Sequence, residues 1–541
     1  MKNNRIIWVL AALFSVLMSV PWLVPHTGFL ALVAFVPLLC ADAIADQCRT
    51  RHFFWYYYLA FVLWNTFTTF WVCNATVGGG IFAILANSLQ MAVIWAVFRW
   101  SKKGLGKTLP YILLPAMWIA WEKVYFNLDI SWPWLVLGNA FAGTTGLVQW
   151  YEYTGSLGGS LWVWLVNLSL YSLISSLSDG SAFMRNLWGR AVYAFWIIAV
   201  TAGPVVLSLC IDKNYVEESE GKVDVVVAQP NFDPYQKFES MTQQDQNTVL
   251  LSLYEKALSE RDGDGSVLLL APETFTSDID LDQVEYSPTV MGFSRFMDRH
   301  PEAEILFGAS TYKFYDTRSA PSILARQYGS RWAENHNSAI LLRQDGTYDI
   351  FHKSKLVVGT ELTPYPKIFV PFDDWLSKKL HVGGLMGRCI GQKEISLLNY
   401  EGRIPIGCAV CYESVYGEYC TGYVRKGARA LAVITNDAWW GDTPGYRQHL
   451  NYSRLRAIEL RRDIARCANT GISAFIDQKG NVISKTEWWK RQTLEGSVNL
   501  NSKVTFFARN GDMTGRICTF AFLLLLLLTI VRSLMSAIRP R

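Results

Sequence analysis

The sequence predicts a bundle of membrane-spanning helices joined to a large α/β domain. The chain has 541 residues, 51% of them hydrophobic. Eight of its segments are apolar and reach the roughly 17–25 residues that a helix needs to cross a bilayer. Between the seventh and the eighth lies a long polar region in which strand-like runs alternate with helical periodicity. We therefore expect a seven-helix transmembrane region at 1–214, an α/β domain at 215–510 and a C-terminal transmembrane helix at 511–541.

The first predicted span resembles a signal peptide, but no clear cleavage site follows it and another apolar segment begins at once, so we expect it to be retained. The predicted spans lie at about 6–24, 27–46, 53–73, 78–98, 108–126, 160–178, 191–211 and 517–537. Lys and Arg are concentrated in every second loop, beginning with Lys2 and Arg5 ahead of the first span. Since basic loops stay in the cytoplasm, both termini are predicted to be cytoplasmic and residues 215–510 to lie outside.

Composition argues against several other classes of protein. The net charge of +5 is small for this length and no basic block stands out, so no nucleic-acid partner is expected. Ten cysteines in so long a chain do not form a disulfide scaffold. Cys408 and Cys411 form a C-x-x-C pair, but residues three apart on a strand point to opposite faces, which disfavours a redox or metal pair.

The polar region has the pattern of an α/β domain with a buried sheet. Strand-like runs occur at 223–228, 267–271, 304–308, 338–342, 404–410, 430–435 and 473–476, and helical periodicity appears near 243–260, 283–299 and 446–462. Functional residues are expected in the loops after such strands. Glu273, Cys411 and the pair Asn436-Asp437 each follow a predicted strand directly.

Three segments in this region each offer one reactive side chain. Glu273 lies in Ala-Pro-Glu-Thr, Lys353 in His-Lys-Ser-Lys-Leu and Cys411 in Cys-Tyr-Glu. The thiolate is the nucleophilic form of cysteine and needs a base and a positive field, which Glu273 and Lys353 can supply. Lys353 and the N–H of Tyr412 are candidates to stabilise the oxygen that becomes negative when the thiolate attacks an ester. Singly, such residues are more often a cap, a solvated charge or a core thiol.

Two further carboxylates lie close to these residues in sequence. Glu361 follows Lys353 by eight positions and is a candidate to hold the lysine or share its proton, while Glu413 is expected to order the loop beside Cys411. In the membrane half, the aromatic loop at 131–135 suits either an interfacial anchor or a wall that guides a lipid into a site. Both interpretations of that loop remain open.

The order and flanking residues of these motifs resemble those of a known family. Asn-Asp-Ala-Trp-Trp-Gly-Asp at 436–442 is followed by Gln448-His449 and by Arg-Leu-Arg-Ala-Ile-Glu at 454–459. The polar region resembles the carbon–nitrogen hydrolase (nitrilase) superfamily. Over nearly its full length, including Trp-Pro-Trp at 132–134, the chain resembles the membrane members of that superfamily, the apolipoprotein N-acyltransferases.

The resemblance implies an αββα sandwich seated on eight transmembrane helices. It assigns Glu273 as general base, Lys353 as the oxyanion-stabilising lysine and Cys411 as nucleophile. It assigns supporting and substrate-binding positions to Glu361, Tyr412, Glu413 and Trp439. The family commonly has His where this chain has Lys355, so the loop at 355–366 is expected to differ in shape.

The resemblance also implies a reaction and a location. A phospholipid, with phosphatidylethanolamine the expected donor, would acylate the cysteine, and the amine of a diacylglyceryl-modified apolipoprotein would accept the chain. No metal or organic cofactor is expected, and the location would be the bacterial inner membrane, with the catalytic domain periplasmic. One alternative is a membrane-tethered amidase or nitrilase for a small substrate, although seven preceding spans exceed what a tether needs. Another is a transporter or channel with an external domain.

Overall fold

A computed structural model of the protein describes residues 2–178, 186–234, 237, 240–261, 265–382 and 384–538. Helices in the membrane half lie close to the predicted spans. They are α1 Lys2–Leu23, α2 Ala31–Gln47, α3 Phe54–Thr69, α4 Val72–Ala75, α5 Val77–Leu105, α6 Leu109–Tyr125, α7 Tyr151–Ser178 and α8 Leu187–Asn214. The polar half contains α9 Gln243–Glu260, α10 Pro288–Met297, α11 Pro366–Leu380, α12 Gly417–Arg425, α13 Pro444–Leu460 and α14 Phe506–Asn510, and α15 Met513–Ile538 follows.

Six of these helices are long and apolar enough to cross a membrane: α1, α2, α5, α7, α8 and α15. The helices at the third and fifth predicted spans, α3 and α6, have 16 and 17 residues. That length is short for a helix that crosses a bilayer by itself. Of the eight predicted crossings, six therefore correspond to helices that are long and apolar enough to span a membrane. The C-terminal helix α15 packs beside α5 and α6, which returns the end of the chain to the helix bundle.

The polar half contains two sheets. Its strands are β1 Lys222–Gln229, β2 Val267–Leu270, β3 Thr276–Asp280, β4 Ala303–Tyr315, β5 Arg326–Tyr328, β6 Arg331–Leu342, β7 Tyr348–His352, β8 Leu398–Tyr400, β9 Ile404–Val410, β10 Ala430–Thr435, β11 Ile464–Ala468, β12 Ala474–Ile476, β13 Val482–Lys485 and β14 Gln492–Asn499. One sheet has eight strands, with the path β14-β1-β2-β4-β6-β5, β3 paired with β4 and β7 with β6. The other has the order β13-β12-β11-β10-β9-β8.

The two sheets pack face to face through apolar side chains. Val225 and Leu268 of the larger sheet share a buried cluster with Val410 and Ile434 of the smaller one. Helices α9 and α10 cover the outer face of the larger sheet, and α12 and α13 cover that of the smaller. The predicted four-layer αββα arrangement is thus present, because every buried strand has apolar residues on both faces.

Helix α13 belongs to both halves of the molecule. Leu450 and Ala457 face the smaller sheet, whereas Tyr452 and Leu455 lie in the core of the helix bundle. The buried side chain of Gln448 donates to two backbone carbonyls of the bundle, at 3.1 Å each, and accepts from the Trp134 indole at 2.6 Å. These contacts seat the sandwich directly on the membrane helices.

Candidate active site

The three predicted reactive residues come from the facing sheets of the sandwich. Glu273 lies in the loop after β2 and Lys353 directly after β7, both in the larger sheet. Cys411 begins a short 3-10 helix, Cys411–Val415, at the end of β9 in the smaller sheet. The structure therefore brings together three residues that are far apart in sequence, between the two sheets.

A buried ion cluster joins the larger sheet's residues. The ammonium of Lys353 lies 2.8 Å from Glu273 Oε1 and 2.9 Å from Glu361 Oε2. The amide of Asn337 donates to both carboxylates, at 2.8 Å and 2.6 Å. Glu273 Oε2 accepts from the backbone N–H of Asn436 at 3.2 Å. Every charged group of this cluster thus has an opposite charge or a hydrogen-bond donor beside it, as burial requires.

Electrostatics in the site keeps the lysine charged and the thiol neutral at rest. Burial alone would lower the pKa of Lys353, but Glu273 and Glu361 raise it well above its ordinary value. Burial, above all, and the charge of Glu273 raise the pKa of the Cys411 thiol well above its ordinary value, while Lys353 opposes that shift. At neutral pH the thiol therefore needs a base before it can react.

Glu413 orders the turn that carries the nucleophile. The carboxylate is fully buried and accepts from the backbone N–H groups of Val410 at 2.9 Å and of Ser354 at 2.7 Å. It also accepts from the hydroxyl of Tyr419 at 2.7 Å. Because Ser354 lies in the loop after β7 and Val410 is the last residue of β9, one side chain connects the loop of Lys353 to the turn of Cys411.

Residues beside the nucleophile connect the site to the membrane half. The hydroxyl of Tyr412 donates to the Ser131 carbonyl at 3.0 Å, and its ring stacks on Trp132 with centroids 6.2 Å apart. Lys355 donates to the carbonyl of Phe126, at the end of α6, at 3.1 Å. In place of the family's usual histidine, this lysine therefore links the Lys353 loop to the bundle.

Several residues of the site were not singled out from the sequence. The ring of His449, from α13, lies against the carbonyl of Cys411 and against Asp437. Asn337 lies within β6 and has no motif around it that would have marked it. His449 belongs to the Gln-His pair at 448–449, which is part of the family resemblance. That pair marks the position in the sequence but does not indicate what the histidine does. Trp439, in contrast, is 36% exposed on the 3-10 helix Asp437–Trp440.

One group of potential metal ligands occurs in the part of the chain that is described. The ligand atoms of Cys411, Asp437 and His449 lie within 4.8 Å of one another. Asp437 already accepts from the Arg466 guanidinium at 2.8 Å and from the Thr435 hydroxyl at 2.7 Å. The donor set is thus engaged in contacts within the protein, and we assign it no ion.

Comparison with known proteins places the chain in a family. The family model described as carbon-nitrogen hydrolase matches residues 213–504, and that of the apolipoprotein N-acyltransferase N-terminal domain matches residues 11–169. An apolipoprotein N-acyltransferase of Chlorobaculum tepidum is 28% identical over 503 residues, which are 92% of this chain and 91% of the relative. One of Geobacter metallireducens is 27% identical over 527 residues, 94% of this chain and 93% of the relative.

A solved structure of Saccharomyces cerevisiae Nit3, of the nitrilase superfamily, aligns over 52% of this chain and 93% of its own at 14% identity, with a TM-score of 0.37. That score is too low to argue from, and the assignment depends on the family matches. The chain belongs to the carbon–nitrogen hydrolase family as a membrane acyltransferase, because it carries both that catalytic domain and, ahead of it, the N-terminal domain of the apolipoprotein N-acyltransferases.

Proposed function

We propose that the protein moves a fatty acyl chain from a phospholipid, through a thioester on Cys411, to the N-terminal diacylglyceryl-cysteine of a bacterial apolipoprotein. The observation that carries this proposal is the position of the thiol. Cys411 is buried, lies in the field of Glu273 and Lys353, and begins a turn whose next residue packs on the membrane loop through Trp132. A lipid ester can then reach the thiol while its chains stay in the bilayer.

In the first step Glu273 takes the proton of the Cys411 thiol, and the sulfur attacks the ester carbonyl carbon. The carbonyl oxygen becomes negative, and the Lys353 ammonium with the Tyr412 N–H stabilises it. When the intermediate collapses, the carbon–oxygen ester bond breaks. The departing alkoxide takes the proton from Glu273 and leaves as a lysophospholipid, and the acyl chain remains on the sulfur.

In the second step the α-amine of the lipoprotein attacks the thioester carbonyl. Glu273 accepts a proton from the amine, the carbon–nitrogen bond forms and the carbon–sulfur bond breaks. The departing thiolate recovers its proton from Glu273, so atoms and charges balance over the cycle. Phosphatidylethanolamine is the proposed donor, and no step needs a metal or an organic cofactor.

Supporting residues act by holding these groups. In this proposal Glu361 keeps Lys353 charged and oriented, since its carboxylate lies 2.9 Å from the ammonium. Glu413 fixes the loop of Cys411 through its backbone donors. Trp439, at the exposed edge of the site, would contact the lipid substrates.

The protein belongs to a bacterial membrane, and we propose the inner membrane with the catalytic domain periplasmic. Residues 1–214 and 511–541 would form the membrane part, with both termini cytoplasmic, and residues 215–510 the catalytic domain. The support is the concentration of Lys and Arg in alternate loops. A membrane-tethered amidase remains the second candidate, because the same three side chains can hydrolyse small amides.

Cys411→Ala should abolish formation of a hydroxylamine-sensitive acyl adduct when the purified protein is incubated with labelled phospholipid, because Cys411 supplies the sulfur that carries the acyl chain in this proposal. Cys408→Ala is the matched control, since that thiol is also buried and lies three residues earlier, on β9. We expect it to keep the adduct. An adduct that survives in Cys411→Ala and is lost in Cys408→Ala would show that Cys408, and not Cys411, is the acylated residue.

Glu273→Gln should slow adduct formation strongly at pH 7 and make the remaining rate increase with pH. The amide cannot take a proton, and since burial raises the pKa of the Cys411 thiol, thiolate accumulates only as the pH increases. We expect roughly a tenfold gain per pH unit toward about pH 9. Single-turnover rates measure this, with the exposed Glu255→Gln as control. A variant that matches the wild-type rate and pH profile would exclude Glu273 as the base.

Impermeant maleimide applied to intact spheroplasts should label Lys256→Cys, on the exposed side of α9, if the catalytic domain is periplasmic. Cys48 is an exposed native thiol in a predicted cytoplasmic loop and serves as internal control. We expect it to react only after the membrane is permeabilised, with peptide mass spectrometry as the readout. The reverse pattern would place residues 215–510 in the cytosol.

A further inference from the structure

Cys411 has an uncommon backbone conformation that its surroundings must maintain. Its φ of +52° lies in the left-handed region, which is unfavourable for a residue with a side chain. The carbonyl of Cys411 accepts from the hydroxyl of Ser414 at 2.7 Å and lies 3.1 Å from Nε2 of His449. Two side-chain groups thus hold the oxygen of one peptide unit.

The direction of this carbonyl determines the direction of the neighbouring N–H. A peptide unit is planar and trans, so the C=O of Cys411 and the N–H of Tyr412 point in opposite directions within one rigid plane. Rotation of that plane would turn the Tyr412 N–H away from the oxygen it stabilises. Whatever holds the carbonyl therefore also orients the donor.

His449 is held in turn by a fully buried ion pair. Its Nδ1 lies 2.9 Å from Asp437 Oδ1 and 3.1 Å from a guanidinium nitrogen of Arg466. Arg466 also donates to Asp437 Oδ2 at 2.8 Å, and none of these three side chains has any exposed surface. The Cys411 carbonyl oxygen only accepts, so its contact with Nε2 is a hydrogen bond in the tautomer with a proton on Nε2, and the Ser414 hydroxyl lies 3.0 Å from the same nitrogen.

We propose that His449, held by Asp437 and Arg466, is a positioning residue that orients the Cys411–Tyr412 peptide plane and so the N–H that stabilises the oxyanion. His449 touches neither substrate nor the reacting atoms in this proposal. The inference rests on the proposed function, since it concerns the same acylation step. The proposal gives a role to His449, Asp437 and Arg466, which take no direct part in the chemistry of Glu273, Lys353 and Cys411.

Two substitutions at His449 separate positioning from simple packing. The amide of Gln can place an N–H where Nε2 stands and keep the bond to the Cys411 carbonyl. The shorter Asn can replace only the Nδ1 contact with Asp437. We expect His449→Asn to lower the single-turnover rate of adduct formation about 100-fold, the loss typical of one oxyanion donor. His449→Gln should stay within about tenfold of wild type.

The phospholipid concentration that gives half the maximal rate should not change in either variant, because the peptide plane acts on the oxyanion and not on the bound lipid. His300→Asn, at the outer side of the larger sheet beside Glu255 and Glu302, is the control and should have the wild-type rate. Equal losses in His449→Asn and His449→Gln, or a loss that appears only in the half-saturating lipid concentration, would overturn the proposal.

Thermal unfolding in detergent would show whether the variants of the buried His449 fold. If they do not, Ser414→Ala provides a second test. It removes the other side-chain donor to the same carbonyl, together with the 3.0 Å contact to His449 Nε2, and leaves the Asp437–Arg466 ion pair intact. We expect an unchanged melting temperature and a rate loss of about threefold to tenfold, as for one neutral hydrogen bond. A folded Ser414→Ala with the wild-type rate would contradict the inference. Absence of any adduct in wild type would instead overturn the proposed function with it.

Discussion

A charged lysine kept inside the protein is the constraint on which the rest of the site depends. Lys353 is 1% exposed, and an ammonium buried without a partner would cost several kcal/mol. Two carboxylates, of Glu273 and Glu361, lie 2.8 and 2.9 Å from the ammonium and offset that cost. The same arrangement leaves a positive charge and a carboxylate next to a neutral thiol. Stability of the cluster and readiness for acyl transfer thus have one electrostatic origin.

The second constraint is the direct packing of the αββα sandwich against the membrane helices. Helix α13 buries one face on the smaller sheet and the other in the bundle, and the turn after Cys411 contacts the loop that contains Trp132. A soluble hydrolase needs no such contact. In the proposed reaction this contact would bring an ester or an amine to the thiol while the substrate chains stay in the bilayer, and it would limit access of water to the thioester.

Much of the fold and of the active site could be predicted from the sequence, because short local patterns determine those parts. The buried strands and the helix at 243–260 follow from short apolar runs and periodicity, and the family resemblance pointed to Glu273, Lys353 and Cys411. The rest depends on distant pairing. Asn337 reaches Glu273 across 64 positions, and only the strand order puts it there. Half-polar β14 has no apolar run, yet it pairs with β1 along its full length. Apolar composition also gave imprecise helix lengths, since α3 has 16 residues whereas α5 and α7 have 29 and 28.

Following the acyl chain over one turnover distinguishes transfer to a lipoprotein from hydrolysis. Protein first acylated with labelled phospholipid and freed of lipid would be mixed with a diacylglyceryl-cysteine lipopeptide, and the label followed by mass spectrometry. We expect the label to stay on Cys411 in buffer alone and to move to the amine of the lipopeptide within one turnover. Release of the labelled acyl chain as free fatty acid at the same rate with and without lipopeptide would contradict it and favour a hydrolase.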